Sequence, residues 1–152
     1  MAYVTREARE HLLETVGEAI DELSVALAAL GAAYEQLDEQ TADRLEAELF
    51  RPVQAAYGRA QRTYAAFAER HGLTARRFEP ALPGHPSQGV RGFLDRAVAA
   101  VDEADMLLIE LQDSMRPVEV GDTELRAGLS QVRELVGDLR ARSRELVRTL
   151  GR

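Results

Sequence analysis

Four long stretches of this chain carry apolar residues at alternating three- and four-residue spacing, and no other feature limits the fold as much. The first runs Leu13, Val16, Ile20, Leu23, Leu27, Leu30, Tyr34, Leu37. The second runs Leu45, Leu49, Val53, Ala56, Ala60, Tyr64, Phe67, His71. The third runs Val90, Leu94, Ala97, Val101, Ala104, Leu108, Leu111, Met115, and the fourth Leu125, Leu129, Val132, Val136, Leu139, Ser143, Leu146, Leu150. A period near 3.5 sustained over several heptads belongs to helices packed lengthwise, because a strand repeats every two residues. The pattern predicts an all-α chain.

Boundaries follow from local chemistry. The spacing predicts helices over about 5–38, 42–71, 88–115 and 123–150, in one domain spanning 1–152. Thr41, Ser87 and Asp122 or Thr123 are suitable N-caps, and Gly72 a suitable stop. Pro52 removes one hydrogen bond and crowds the preceding turn, so a kink is expected around Leu49 to Arg51. Alanines 26, 28, 29, 32 and 33 leave room for a neighbouring helix to approach closely. Residues 73–86 hold three of the five prolines and no helical period, which makes them the one long loop. Pro117 ends the third helix, and 116–121 forms a tight connection. Short connections imply antiparallel neighbours. The expectation is an antiparallel up-down-up-down four-helix bundle with one long Pro-rich loop between helices 2 and 3. Both termini and that loop would share one end.

Such a topology would sort charge. Residues 21–56 and 102–133, together one end of the bundle, carry a net charge of −11, and the remainder carries +4. The resulting basic pole invites an anion: Arg70, Arg76, Arg77, Arg91 and Arg148 would surround the start of the third helix, where free amides near Ser87 and Gln88 point outward. The planar guanidinium suits phosphate or carboxylate.

Other chemistry finds little footing. There is no cysteine, which removes disulfides and thiolate catalysis. The bundle metal motif needs Glu-x-x-His pairs, and none occurs. His11, His71 and His85 fall at the same expected pole, but His11 lies off its helix's seam and His85 lies in the loop, so no metal or cofactor is expected. No phosphate-loop pattern appears, and no serine stands in a suggestive relation to a histidine. Catalytic residues are therefore not assigned, and the reading leans away from an enzyme. A net charge of −7 argues against a nucleic-acid binder. The longest charge-free run is 12 residues, too short to cross a bilayer. No apolar signal core follows the charged start, so the expected location is the cytoplasm. All 19 basic residues are arginine, as a GC-rich bacterial genome would encode.

One signal points to association. The third helix is apolar all round at 106–109, where Met106 and Ile109 fall outside the seam, in line with Ala99. An exposed apolar stripe marks a subunit or partner contact. The functional expectation is a non-enzymatic interaction module that binds another protein or a second copy of itself through Ala99, Met106 and Ile109. The alternative is a binder of a small phosphate- or carboxylate-bearing anion at the arginine-rich end.

Overall fold

The computed structural model describes residues 2–114, 120 and 122–150, with side chains from Arg6 onward. Among them every regular element is helical. Helix α1 is Ala2–Glu35, α2 is Glu39–Leu45, α3 is Arg51–Arg70, α4 is Gly89–Asp113, α5 is Thr123–Val136 and α6 is Leu139–Leu150. They form four rods: α1; α2 with α3; α4; and α5 with α6. Met115, Pro117 and the tight connection assigned to 116–121 lie outside the described residues, apart from buried Val120.

The repeat that defines the rods also defines the core. Every seam residue of the second rod up to Phe67, from Leu45 onward, is buried, and so is the fourth rod's seam from Leu125 to Leu146. In α1 the buried stripe takes in Ala19, Ala26, Ala29 and Ala33, while Tyr34 turns out to solvent. Buried Ala97, Ala100 and Ala104 answer them on α4, and α1 with α4 makes the most extensive helix contact of the molecule. Small side chains on both helices let the backbones close up.

Asp38 caps α2, its carboxylate accepting from the Thr41 amide at 2.9 Å, so Thr41 is the capped residue rather than the cap. Asp122 caps α5 in the same way through Leu125. Ser87 does not cap α4. It lies in a 3₁₀ turn, Pro86–Gln88, whose cap is His85 Nδ1, and α4 starts at Gly89 with no side-chain cap. At Pro52 the chain stays helical by passing through a π turn, Glu46–Phe50, which places the proline in the first turn of α3, where its missing amide is tolerated. Gly72, at φ +64°, stops α3: the Leu73 amide reaches back to the Ala68 carbonyl at 2.9 Å.

The order of directions differs from up-down-up-down. Arg70 at the end of α3 pairs with Asp122 at the start of α5, and Arg59 bonds Gln131, so these helices run oppositely. Tyr64 lies against Gly17 while Phe50 lines a hollow with Gly31 and Tyr34, so the second rod runs against α1 in the opposite sense. Gln36, just past the end of α1, donates to the Pro86 carbonyl at 3.3 Å, so α4 begins where α1 ends. Arg133–Asp105 and Arg140–Asp102 set α5 and α6 against α4. The third rod therefore runs in the same direction as the second, and the chain goes up, down, down, up. Neighbours are still oppositely directed, because the two like-directed rods sit diagonally.

Residues 71–85 make this possible by running the length of the bundle. The segment leaves α3 beside Tyr64, whose hydroxyl accepts from the Arg76 amide at 3.1 Å. It pairs Arg76 with Asp21 at 2.6 Å, hangs the Ala81 amide on Ser24 Oγ at 3.0 Å, and reaches Gln36 at Pro86. An extended chain of that length spans about 46 Å at roughly 3.1 Å per residue, more than α4 needs. The start of α1 and the end of α6 consequently lie at opposite ends, and the acidic segments 21–56 and 102–133 do too, so the expected charge polarity disappears.

Candidate functional site

The arginines proposed for one anion site are separated by this topology. Arg70 is at the α3 end, bidentate on Asp122 and 2.8 Å from Glu124. His71 Nε2 shares the same carboxylate at 2.8 Å. Burial alone would push the Asp122 carboxyl up, but the Leu125 amide, His71 and Arg70 together hold it below its usual value. Arg76 lies midway along the molecule, paired with Asp21 and stacked 4.3 Å over Phe78. Arg77 is exposed on the crossing strap. Ser87 bonds His85 at 2.7 Å, and Gln88 precedes α4 at the opposite end from Arg70. His11 is exposed, and among the described residues no group of three or more acidic or imidazole side chains is placed to hold a metal ion.

Two of the set, Arg91 and Arg148, do come together, and they meet two of the residues proposed for association. They line an open groove of about 710 Å³ between α4 and α6, with Ala99 and Met106. Its cause is local. Helix α6 is held by buried Leu139 and Leu146, but between them the seam position is Ser143, too small to fill the space towards α4. Val98, Ala99, Met106 and Val147 give the groove apolar surface, and Met106 is 55% exposed. Ile109 is half-buried and does not line it.

The rims carry opposite charge. Helical spacing sets Arg140, Arg144 and Arg148 in a row on α6, each four residues from the last. Across from them α4 presents Asp95, Asp102 and Glu103, with Arg91 at the end where α4 begins, so that rim is net acidic. Arg140 is paired with Asp102 across the gap, and Arg148 with Glu145 on its own helix at 2.9 Å. Among the described residues Arg91 and Arg144 make no ion pair. Glu103 also acts inward: Glu22 on α1 has its carboxyl raised, first by burial and then by the Glu103 and Asp21 charges.

Sequence reasoning did not single out Arg140, Arg144, Asp95 or Asp102, although the four-residue arginine row and the seven-residue aspartate interval are visible in the chain. What it lacked was the rotation of each helix about its own axis, which decides that the two rows face each other. Comparison with protein families, curated proteins and solved structures finds no match to this chain.

Proposed function

We propose that this protein is a self-associating helical module whose α4/α6 face pairs with the same face of a second copy. The observation that carries this reading is the opposite charge of the two groove rims about an apolar floor. A two-fold contact requires a self-complementary surface. A two-fold axis along the groove would set the acidic α4 rim of one copy over the arginine α6 rim of the other. Axial heights are kept in that arrangement, so Asp95, seven residues before Asp102, comes level with Arg148, eight after Arg140. Ala99 would then leave water at the middle of the contact and Met106 at its end.

A small-anion site in the same groove is supported less. Asp95, Asp102 and Glu103 line it beside the arginines and would repel the ligand.

Size exclusion with light scattering over a wide concentration range tests the proposal. The wild type is expected to dimerise, and Met106→Glu to be monomeric with an unchanged melting temperature. Asp95→Arg and Arg148→Glu should each weaken the dimer, and mixing the two variants should restore a heterodimer. A wild type that stays monomeric at high micromolar concentration sinks the reading. A melting temperature raised by inorganic phosphate and lost in Arg144→Glu would favour the anion site instead.

A further inference from the structure

The crossing strap presents a second surface, remote from the α4/α6 groove, whose chemistry is that of a proline-rich ligand. Residues 77–83 read Arg-Phe-Glu-Pro-Ala-Leu-Pro, with prolines three apart and an arginine three before the first. Each proline fixes its own φ near −65°, and each pushes the residue before it, Glu79 and Leu82, into extended backbone. That combination favours polyproline II, a helix of three residues per turn with a solvated backbone. Among the described residues no hydrogen bond is donated to a carbonyl of residues 77–83.

Exposure along the strap follows the same period of three. Phe78 and Ala81 face the bundle: Phe78 packs edge-on to Tyr64 with centroids 4.9 Å apart, and the Ala81 amide is held by Ser24. Arg77, Glu79, Pro80 and Leu82 are exposed, Pro83 partly so, and Leu82 is the most exposed large apolar side chain described, at 82%. Arg77 makes no ion pair among the described residues, whereas neighbouring Arg76 is tied to Asp21. One edge of a three-sided helix is thus clamped to the protein, and the other two stand in water apart from half-buried Pro83.

We infer that residues 77–83 are a docking ligand for a partner protein with an aromatic-lined groove that reads polyproline II. Glu79–Pro80 and Leu82–Pro83 would fill two successive pockets, and Arg77 would meet an acidic group at the groove's end. Phe78 and Ala81, the positions that turn away from such a groove, are the ones the bundle uses as anchors. Because α1 holds the strap extended, less chain entropy is lost on docking than for a free peptide. Glu79 is a charge at the mouth of the first pocket, so the partner should carry a basic group there.

The test is a titration of the full-length ¹⁵N-labelled chain with an SH3 domain that selects Arg-x-x-Pro-x-x-Pro peptides. Saturable amide shifts at Arg77, Phe78, Glu79, Ala81 and Leu82 are expected. Leu82→Ala and Arg77→Ala should each weaken binding by about tenfold or more, and both should keep the wild-type melting temperature, since both side chains stand in solvent. No shifts at millimolar domain would overturn the inference. So would shifts confined to α4 and α6, undiminished binding by either variant, or a fall in melting temperature showing that these side chains hold the strap down.

Discussion

Arg142 Nη1 on α6 donates to the backbone carbonyl of Glu48 at 3.2 Å. That carbonyl stands four residues before Pro52, so it is the acceptor that a proline nitrogen cannot serve in an α-helix. The π turn at Glu46–Phe50 and the reach of Arg142 are two accommodations to one missing amide, and the second ties α6 to the opposite rod.

This linkage predicts a coupled pair. Arg142→Ala should cost about 1 kcal/mol in urea denaturation, in the range of one net hydrogen bond. In a Pro52→Ala background, where the amide is restored, the same substitution should cost clearly less. Equal costs in both backgrounds would show that Arg142 acts elsewhere, for instance through Asp138, 3.8 Å away.

Gly128 marks the closest approach of α5 to α3. A Cβ built there would overlap Thr63 Oγ1 and lie 3.1 Å from its Cβ. Thr63 is buried, and its hydroxyl has no hydrogen-bond partner among the described residues. Gly128→Ala should destabilise by about 1–3 kcal/mol through overpacking, despite alanine's better helix propensity. Thr63→Ala removes both the crowding and an unsatisfied hydroxyl. The double variant should therefore recover most of the loss in thermal or urea unfolding, and simple additivity would refute the steric account.

Acid should loosen the junction of α3 with α5. The Asp122 carboxyl is held below its usual value of 3.8 because the Leu125 amide, His71 and Arg70 outweigh its burial. A depressed carboxyl stabilises the fold above its unfolded value, and that contribution fades as pH falls from about 4 through the lower folded value. Asp122→Asn keeps an oxygen for the Leu125 amide but loses the charge facing Arg70 and His71. It should cost about 2 kcal/mol at pH 7, the scale of hydrogen bonds to a charged group. The gap to wild type should narrow steadily below pH 4. A gap independent of pH would mean that the carboxylate's charge is not what matters.

How far the chain could be read depended on the range of the interaction. The rods were legible because seam residues such as Leu129 and Leu94 report their own burial through their spacing. Asp122 and Gly72 were legible as cap and stop because capping is local. Direction was not, since nothing in Val90 to Leu111 says which way the helix runs. The one available clue lay in residues 73–86, which are far longer than the usual two- to eight-residue helix connection and stiffened by proline. A turn does not need that length, but a crossing does. The α4/α6 groove was half legible. Arg91 and Arg148 were expected together, because α4 and the fourth rod run oppositely in either order of directions, but the opening between the helices at Ser143 was not foreseen.

The crossing itself makes the most direct prediction. If α4 begins where α1 ends, Gln36 and Gln88 are neighbours, whereas His11 lies 25 residues of α1 away from Gln36, about 37 Å at 1.5 Å per residue. The chain has no native cysteine, so introduced pairs label cleanly. A short bismaleimide should join the Gln36→Cys, Gln88→Cys variant in high yield and leave the His11→Cys, Gln88→Cys variant open. An up-down-up-down bundle would reverse that outcome, because it places the start of the third rod beside the start of the first. Such a reversal would leave α4 antiparallel to the fourth rod and the α4/α6 groove intact, but the crossing of residues 71–85 would be gone.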